Sequence, residues 1–260
     1  MDHRLAKLLI ACTLLGALVF SGCGEQARAP GIIEAVPALA GSVFVQRYTA
    51  GLSVQNRPIE CVVVGEGPEA VLVMAAIHGN EPGGIGLVRR LAEFLSEQPV
   101  MPAGRKVVLI PVANPDGVAA RSRFNARGVD LNRNFAAANR RNSPRHGPAA
   151  LSEPETRVIE AIIREYSPER IVSIHQPLAC VDYDGPAEEL ARQMAGDCGL
   201  PVRKLGAQSG SLGSYAGLSM SIPTVTLELP QDAEKLNRER LWYKYGPALM
   251  TAVAYPTMAK

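Results

Sequence analysis

Ala70–Ile77 is an unbroken run of eight apolar residues that leads directly into His78-Gly79-Asn80-Glu81. A strand with one face in water alternates apolar and polar residues, so a continuous apolar strand must be covered on both faces. Val107–Val112 has the same character, Ile171–Ile174 reads as another strand, and Thr224–Leu229 as a last one. Between them lie segments of helical period. Gly84–Ser96 sets Leu87, Leu91 and Leu95 on one stripe, and Glu153–Tyr166 has Ser152 as cap with Pro154 and Glu155 in its first turn. Ala187–Cys198 and Glu234–Ala254 read as two further helices, the second carrying Trp242 and Tyr243 as packing residues. Shorter strands are expected at Val43–Val45 and Ile59–Val64, the second closed by the turn Gly65-Glu66-Gly67-Pro68. This alternation predicts an α/β fold: a mixed, mainly parallel central sheet with helices on both faces.

The start of the chain is of another kind. Arg4 and Lys7 precede an apolar stretch, Leu8 to Phe20, that is short for a membrane span and ends in Ser21-Gly22-Cys23. Residues 1–23 are expected to be a lipoprotein-type signal ending at a lipidated Cys23, with an ordinary cleaved signal as the alternative. Gly24 after Cys23, in place of Asp, leans towards the outer membrane. The expected location is therefore the cell envelope, in the periplasm and anchored to the outer membrane through lipid. Residues 24–41 are small, Pro-containing and aperiodic, and read as a flexible tether. Residues 42–260 read as one catalytic domain, long but ordinary for an open α/β sheet. A hydrophobic share of 47% supports a large core, and a formal charge of +2 offers no nucleic-acid surface. Nothing in the pattern assigns an oligomeric state. Beyond the leader, Cys61, Cys180 and Cys198 remain, so one disulfide, Cys180 to Cys198, is possible with one thiol left over. No cysteine pair has the spacing of a metal site.

The chemistry is concentrated where strands end. The first buried strand delivers His78 and Glu81, Ile171–Ile174 delivers His175, and Thr224–Leu227 delivers Glu228. Ligands of open α/β sheets bind outside the carboxyl ends of the strands, so these side chains converge on one edge. Two imidazoles and a carboxylate suit a catalytic zinc site with one position open. His146, in a loop rich in Pro and Arg, reads as solvated, and Asn114 and Asp116 in Asn114-Pro-Asp-Gly read as turn formers.

Taken in order, His78-x-x-Glu81, Asn114-Pro-Asp-Gly, Gly128-Val-Asp-Leu-Asn-Arg-Asn-Phe, Ser152-Glu-Pro-Glu, His175 and Glu228 resemble the zinc metallocarboxypeptidase family. The resemblance runs from Ala70 to Leu229. Within the family, Ser173-Ile-His-Gln-Pro-Leu-Ala-Cys and Gly210-Ser-Leu-Gly-Ser-Tyr are most similar to the murein peptide amidases. It implies one zinc ion on His78, Glu81 and His175, with Asp130 behind the first histidine. It implies Glu228 as the base that moves protons between water and leaving amine, and Arg123 as the cation facing the oxyanion. Asn132 and Arg133 match the pair that grips the substrate's free carboxylate. Arg121, Arg127, Arg140, Arg141 and Arg145 crowd the same region, so a loop in which no single arginine matters is the alternative. The family's Tyr, about six residues before a Gly-Ser pair, is missing; Leu205 stands there.

The loop after His175 carries Asp182 and Asp184. Asp182 is expected either to bind the distal amino group of meso-diaminopimelate or to belong to a solvated acidic turn. The implied function is hydrolysis of the γ-D-glutamyl-meso-diaminopimelate amide of murein peptides. A broader zinc carboxypeptidase, an N-acyl amino acid deacylase and a non-catalytic wall-peptide-binding lipoprotein are the alternatives.

Overall fold

The computed structural model describes residues 32–33, 43–98 and 104–256. The expected signal, Cys23 and all but two residues of the expected tether lie outside them. Those two, Ile32–Ile33 (β1), pair antiparallel with Tyr48 and Arg47 of the next strand.

Eight strands form one sheet: β1, β2 (Val45–Leu52), β3 (Pro58–Val64), β4 (Glu69–Ala75), β5 (Arg105–Ile110), β6 (Arg170–His175), β7 (Leu178–Asp184) and β8 (Thr224–Pro230). Their spatial order is β1-β2-β3-β5-β4-β6-β8-β7. The inner four, β5, β4, β6 and β8, are parallel, and the remaining pairings are antiparallel. The chain leaves β4 for β5 on one side and later reaches β6 on the other. The order therefore reverses at β4/β6, where a crevice opens beyond the strand ends.

Alternate strand residues feed two cores. Val71, Val73 and Ala75 pack with α1 (Gly83–Glu97), α4 (Glu188–Cys198) and α5 (Arg238–Ala254). Leu72 and Met74 pack on the other face with α3 (Pro154–Tyr166) and with Leu212, Tyr215 and Ala216. Period-2 side-chain alternation thus becomes two helical layers. The stripe expected on α1 is fully buried at Leu87, Leu91 and Leu95, each stabilising by about 1.5–3 kcal/mol relative to exposure.

Several local expectations change. Val43 and Phe44 precede β2, which instead continues through the polar stretch to Leu52; this strand is half-buried, so apolar content was a poor guide to it. The acid-rich segment after His175 is strand β7, antiparallel to β8, with Asp182 opposite Thr226. Asn114-Pro-Asp-Gly opens a short helix, α2 (Pro115–Ala120), in which the Asn114 side chain accepts from the Gly117 N–H at 2.8 Å. Ser152 lies one residue before the cap of α3; its hydroxyl donates to Glu153 Oε1 (2.8 Å) and accepts from Asn134 Nδ2 (2.9 Å). The last helix begins at Arg238, capped by Asn237, after a separate 3-10 turn at Ala233–Lys235. Trp242 packs against Phe94, but Tyr243 is 86% exposed and contributes no core packing. Cys61, Cys180 and Cys198 are free and buried, so the possible disulfide between the last two is not formed. Burial pushes the Cys61 thiol up to about 11, which leaves it a poor nucleophile. Among the described residues no helix is long and apolar enough to cross a membrane.

Candidate metal centre and cleft

His175 is the last residue of β6, and His78 and Glu81 lie in the turn between β4 and α1. The switch point of the sheet brings them together. His78 Nδ1 and His175 Nδ1 are 3.2 Å apart, and each is 2.9 Å from a different oxygen of Glu81. All three residues are buried, and one ligand atom from each lies within 4.8 Å of the others. Two imidazole nitrogens facing one another across a buried carboxylate call for a shared positive charge. With both histidines neutral, the set has the donors of a catalytic zinc site that keeps a position open.

Asp130 organises the surroundings. Oδ1 lies 3.1 Å from His78 Nε2 and accepts from the Asn132 N–H at 3.0 Å, while Oδ2 accepts from Arg123 Nε at 2.9 Å. With the His78 Nε2 proton directed to Asp130, Nδ1 is left as the ligand atom. Burial alone would lower the His78 pKa, but Asp130 and Glu81 outweigh it and raise it. Burial acts to raise Glu81 and Asp130, yet their hydrogen bonds and neighbouring positive charge hold both below the usual carboxylate range.

The centre opens into a cleft of about 470 Å³ that is also lined by Arg123, Asn132, Arg133, Asp182, Asp184 and Glu228. Glu228 stands in β8 beside His175, is 8% exposed, and accepts from the Leu178 N–H at 3.4 Å. Burial raises its pKa, with His175 opposing. Arg123 also reaches Glu81 Oε1 at 3.4 Å through Nη1. Asn132 is held by its Oδ1, which accepts from the Leu212 N–H at 2.8 Å. Arg133 donates to its neighbour's backbone carbonyl at 2.6 Å and makes no ion pair among the described residues, so its charge is available to a ligand.

Three other arginines of the region are engaged elsewhere. Arg127 lies 3.5 Å from Glu153, Arg140 donates to the carbonyls of His146 and Gly147, and Arg145 covers the Phe124 ring. His146 is half-buried, its Nδ1 2.8 Å from the Arg141 carbonyl oxygen. Leu205, where the family's Tyr was sought, lines the cleft and is 43% exposed. Asp182 is 6% exposed and accepts from the Leu205 N–H at 2.9 Å, so it is no solvated turn residue.

Sequence reading passed over Gln176. Its Oε1 accepts from the Gly83 N–H at 2.9 Å, at the uncapped start of α1, and its Nε2 donates to the Pro230 carbonyl at 3.2 Å. Its own N–H donates to Glu81 Oε2 at 3.2 Å. One amide therefore ties the ends of β6 and β8 to the helix that follows Glu81. Its position next to His175 was the available signal.

A mixed α/β sheet with a His-Glu-His centre at its switch point defines a metallohydrolase class. The family model for zinc carboxypeptidases matches residues 38–185, more than half of the chain, and the chain belongs to that family of zinc-dependent metallopeptidases and amidases. It is 33% identical to murein peptide amidase A of Escherichia coli (strain K12) over 180 residues, covering 62% of this chain and 72% of that protein. The corresponding protein of Vibrio campbellii (strain ATCC BAA-1116) is 29% identical over 187 residues, 65% of this chain and 73% of that one. Among solved structures, murein-tripeptide amidase from Escherichia coli O157 superimposes with a TM-score of 0.65 at 26% identity, covering 86% of this chain and 100% of that one. Carboxypeptidase A from Helicoverpa armigera shares the fold, with a TM-score of 0.68 at 22% identity over 84% of this chain and 70% of its own.

Proposed function

We propose that this protein is a zinc amidase of murein peptides that hydrolyses the amide between γ-D-glutamate and meso-diaminopimelate. The carrying observation is the make-up of the cleft. Beside one His-Glu-His centre it holds Arg133, a guanidinium with no ion pair among the described residues, next to Asn132, and two buried carboxylates, Asp182 and Asp184. A substrate carrying both a carboxylate next to the scissile bond and an amino group further out complements both ends. Similarity to murein peptide amidases supports a murein peptide as the substrate.

In this reading His78, Glu81 and His175 would hold one zinc ion, which when bound would supply Lewis acidity to water and to the scissile carbonyl. Asp130 fixes the His78 tautomer and, by pairing with Arg123, orients that guanidinium towards the carbonyl oxygen. Glu228 takes the proton of the attacking water and delivers it to the leaving amine. Arg123 meets the negative charge that develops on the carbonyl oxygen. Asn132 and Arg133 hold the carboxylate, the planar guanidinium bonding both oxygens.

The test is incubation of the zinc-loaded protein with L-Ala-γ-D-Glu-meso-diaminopimelate, with and without chelator, followed by mass spectrometry. Chelator-sensitive release of diaminopimelate is expected. Cleavage restricted to α-linked peptides would move the function to a general carboxypeptidase, and turnover of acyl amino acids alone to a deacylase.

We also propose that the protein acts in the cell envelope, lipid-anchored at Cys23, because of the basic, apolar, small-small-Cys leader. In a bacterial host the full chain should then fractionate with membranes and Cys23→Ser should not. Equal fractionation of the two would rule the anchor out.

A further inference from the structure

Arg123, Asn132 and Arg133 line the cleft and Asp130 meets His78, yet all four stand on one loop with little regular structure. Side chains on loops are placed less precisely than those on helices or strands unless their surroundings lock them. Two buried asparagines, neither of which lines the cleft, lock this loop from its two ends.

Asn125 follows Arg123 by two positions. Its Oδ1 accepts from the N–H groups of Arg127 and Val129, both at 3.0 Å, and its own N–H donates to the Val129 carbonyl at 2.9 Å. These bonds close the loop so that Arg123 Nε and Asp130 Oδ2 come to 2.9 Å. Its Nδ2 donates to Glu153 Oε2 at 2.8 Å and to Glu155 Oε2 at 3.2 Å, two buried carboxylates at the start of α3. Every hydrogen-bonding position of that amide is used. Asn134 directly follows Arg133. Its Oδ1 accepts from the Glu153 N–H at 3.1 Å and from the Thr156 hydroxyl at 2.7 Å, at the same helix start. One packed helix end therefore fastens both ends of the loop.

We propose that Asn125 and Asn134 are positioning residues, which fasten the loop to the start of α3 and so aim Arg123 at the developing oxyanion and Asn132 with Arg133 at the substrate's carboxylate. Neither asparagine touches substrate. This rests on the roles given above to the residues they hold. The two ends act on different quantities: Asn125 serves the oxyanion side and so kcat, while Asn134 serves the carboxylate side and so KM.

The test is a pair of double-mutant cycles on the zinc-loaded enzyme. Asn125→Ala is expected to lower kcat roughly 10- to 100-fold, the effect of a misplacement of about 1 Å, with KM nearly unchanged. In an Arg123→Ala background the same change is expected to cost less than about 3-fold, because the group it aims is gone. Asn134→Ala is expected to raise KM and to weaken the preference for a free carboxylate over the matching carboxamide, and to do neither in an Arg133→Ala background. Where an alanine variant lacks the native circular dichroism spectrum, Asn125→Ser and Thr156→Val carry the cycles. Hydrogen exchange over residues 121–134, which needs no substrate, is expected to quicken in each variant while the rest of the fold keeps its protection. Equal losses in both backgrounds, or exchange as slow as in wild type, overturns the proposal. If murein tripeptide is refused and α-linked peptides are cleaved, the murein reading fails, and the same cycles on those peptides decide the role of the asparagines.

Discussion

The five side chains at and around the centre divide a task that none could perform in water. Two histidines and Glu81 meet at one point because three backbone ends place them there, and Asp130 decides which nitrogen of His78 is left over. Glu228 lies beside that group, where burial raises its pKa and His175 opposes the rise. Glu228→Gln keeps the shape and removes the base. It is expected to lower kcat by roughly 10²- to 10⁴-fold while zinc content, measured by atomic emission, stays near one ion per chain. Loss of zinc in this variant would reassign Glu228 to metal binding. His78, Glu81, His175 and Glu228 were legible as candidates because each stands at or just beyond the end of a strand signal. Gln176 was not, since an amide after a ligand carries no pattern until its partners, Gly83 and Pro230, are known.

Among the elements, α2 shows how a turn motif becomes a fastening. Asp116 in its first turn accepts from Ser53 Oγ (2.8 Å), the Gln55 N–H (2.9 Å) and Arg57 Nη1 (2.6 Å), tying the β2–β3 connection to the helix after β5. Burial would raise the Asp116 pKa, but these bonds and the Arg57 charge lower it. A carboxylate with a depressed folded pKa stabilises above its unfolded value and loses that contribution as pH falls through the folded one. Asp116→Asn is therefore expected to cost about 1–3 kcal/mol in urea unfolding at pH 7, and the gap from wild type should narrow below about pH 4. A gap of the same size at both pH values would mean that shape, not charge, fastens the loop. The sequence marked Asn114-Pro-Asp-Gly as turn chemistry; it could not show that Asp116 serves a hairpin some sixty positions earlier. Strand β7 escaped for a related reason, because Asp182 and Asp184 look solvated until β8 is set beside them.

Across the whole molecule, the metal centre joins β4, β6 and the start of α1, three parts of the sheet and its helical cover. An ion that binds only the folded arrangement stabilises all of it by mass action, by about 2.7 kcal/mol at roughly 100 times its dissociation constant. For a chain of this size that corresponds to about 5–10 °C in Tm. Zinc added to chelator-treated protein should produce a rise of this order, and His78→Ala should not respond. An unchanged Tm in wild type would show that the centre is not preorganised by the fold as described here.

The amino-acid sequence alone determined the layered α/β architecture, because helix and strand periodicities are local and a strand apolar on both faces permits little else. It also determined the identity of the candidate ligands, because their positions follow the ends of those strands. Tertiary structure alone decided that Cys180 and Cys198 remain thiols, that Tyr243 faces solvent, and that Arg133 makes no ion pair among the described residues while Arg127 lies 3.5 Å from Glu153. Pairing and hydrogen-bond satisfaction depend on neighbours distant in the chain, and only the folded packing brings those neighbours into reach.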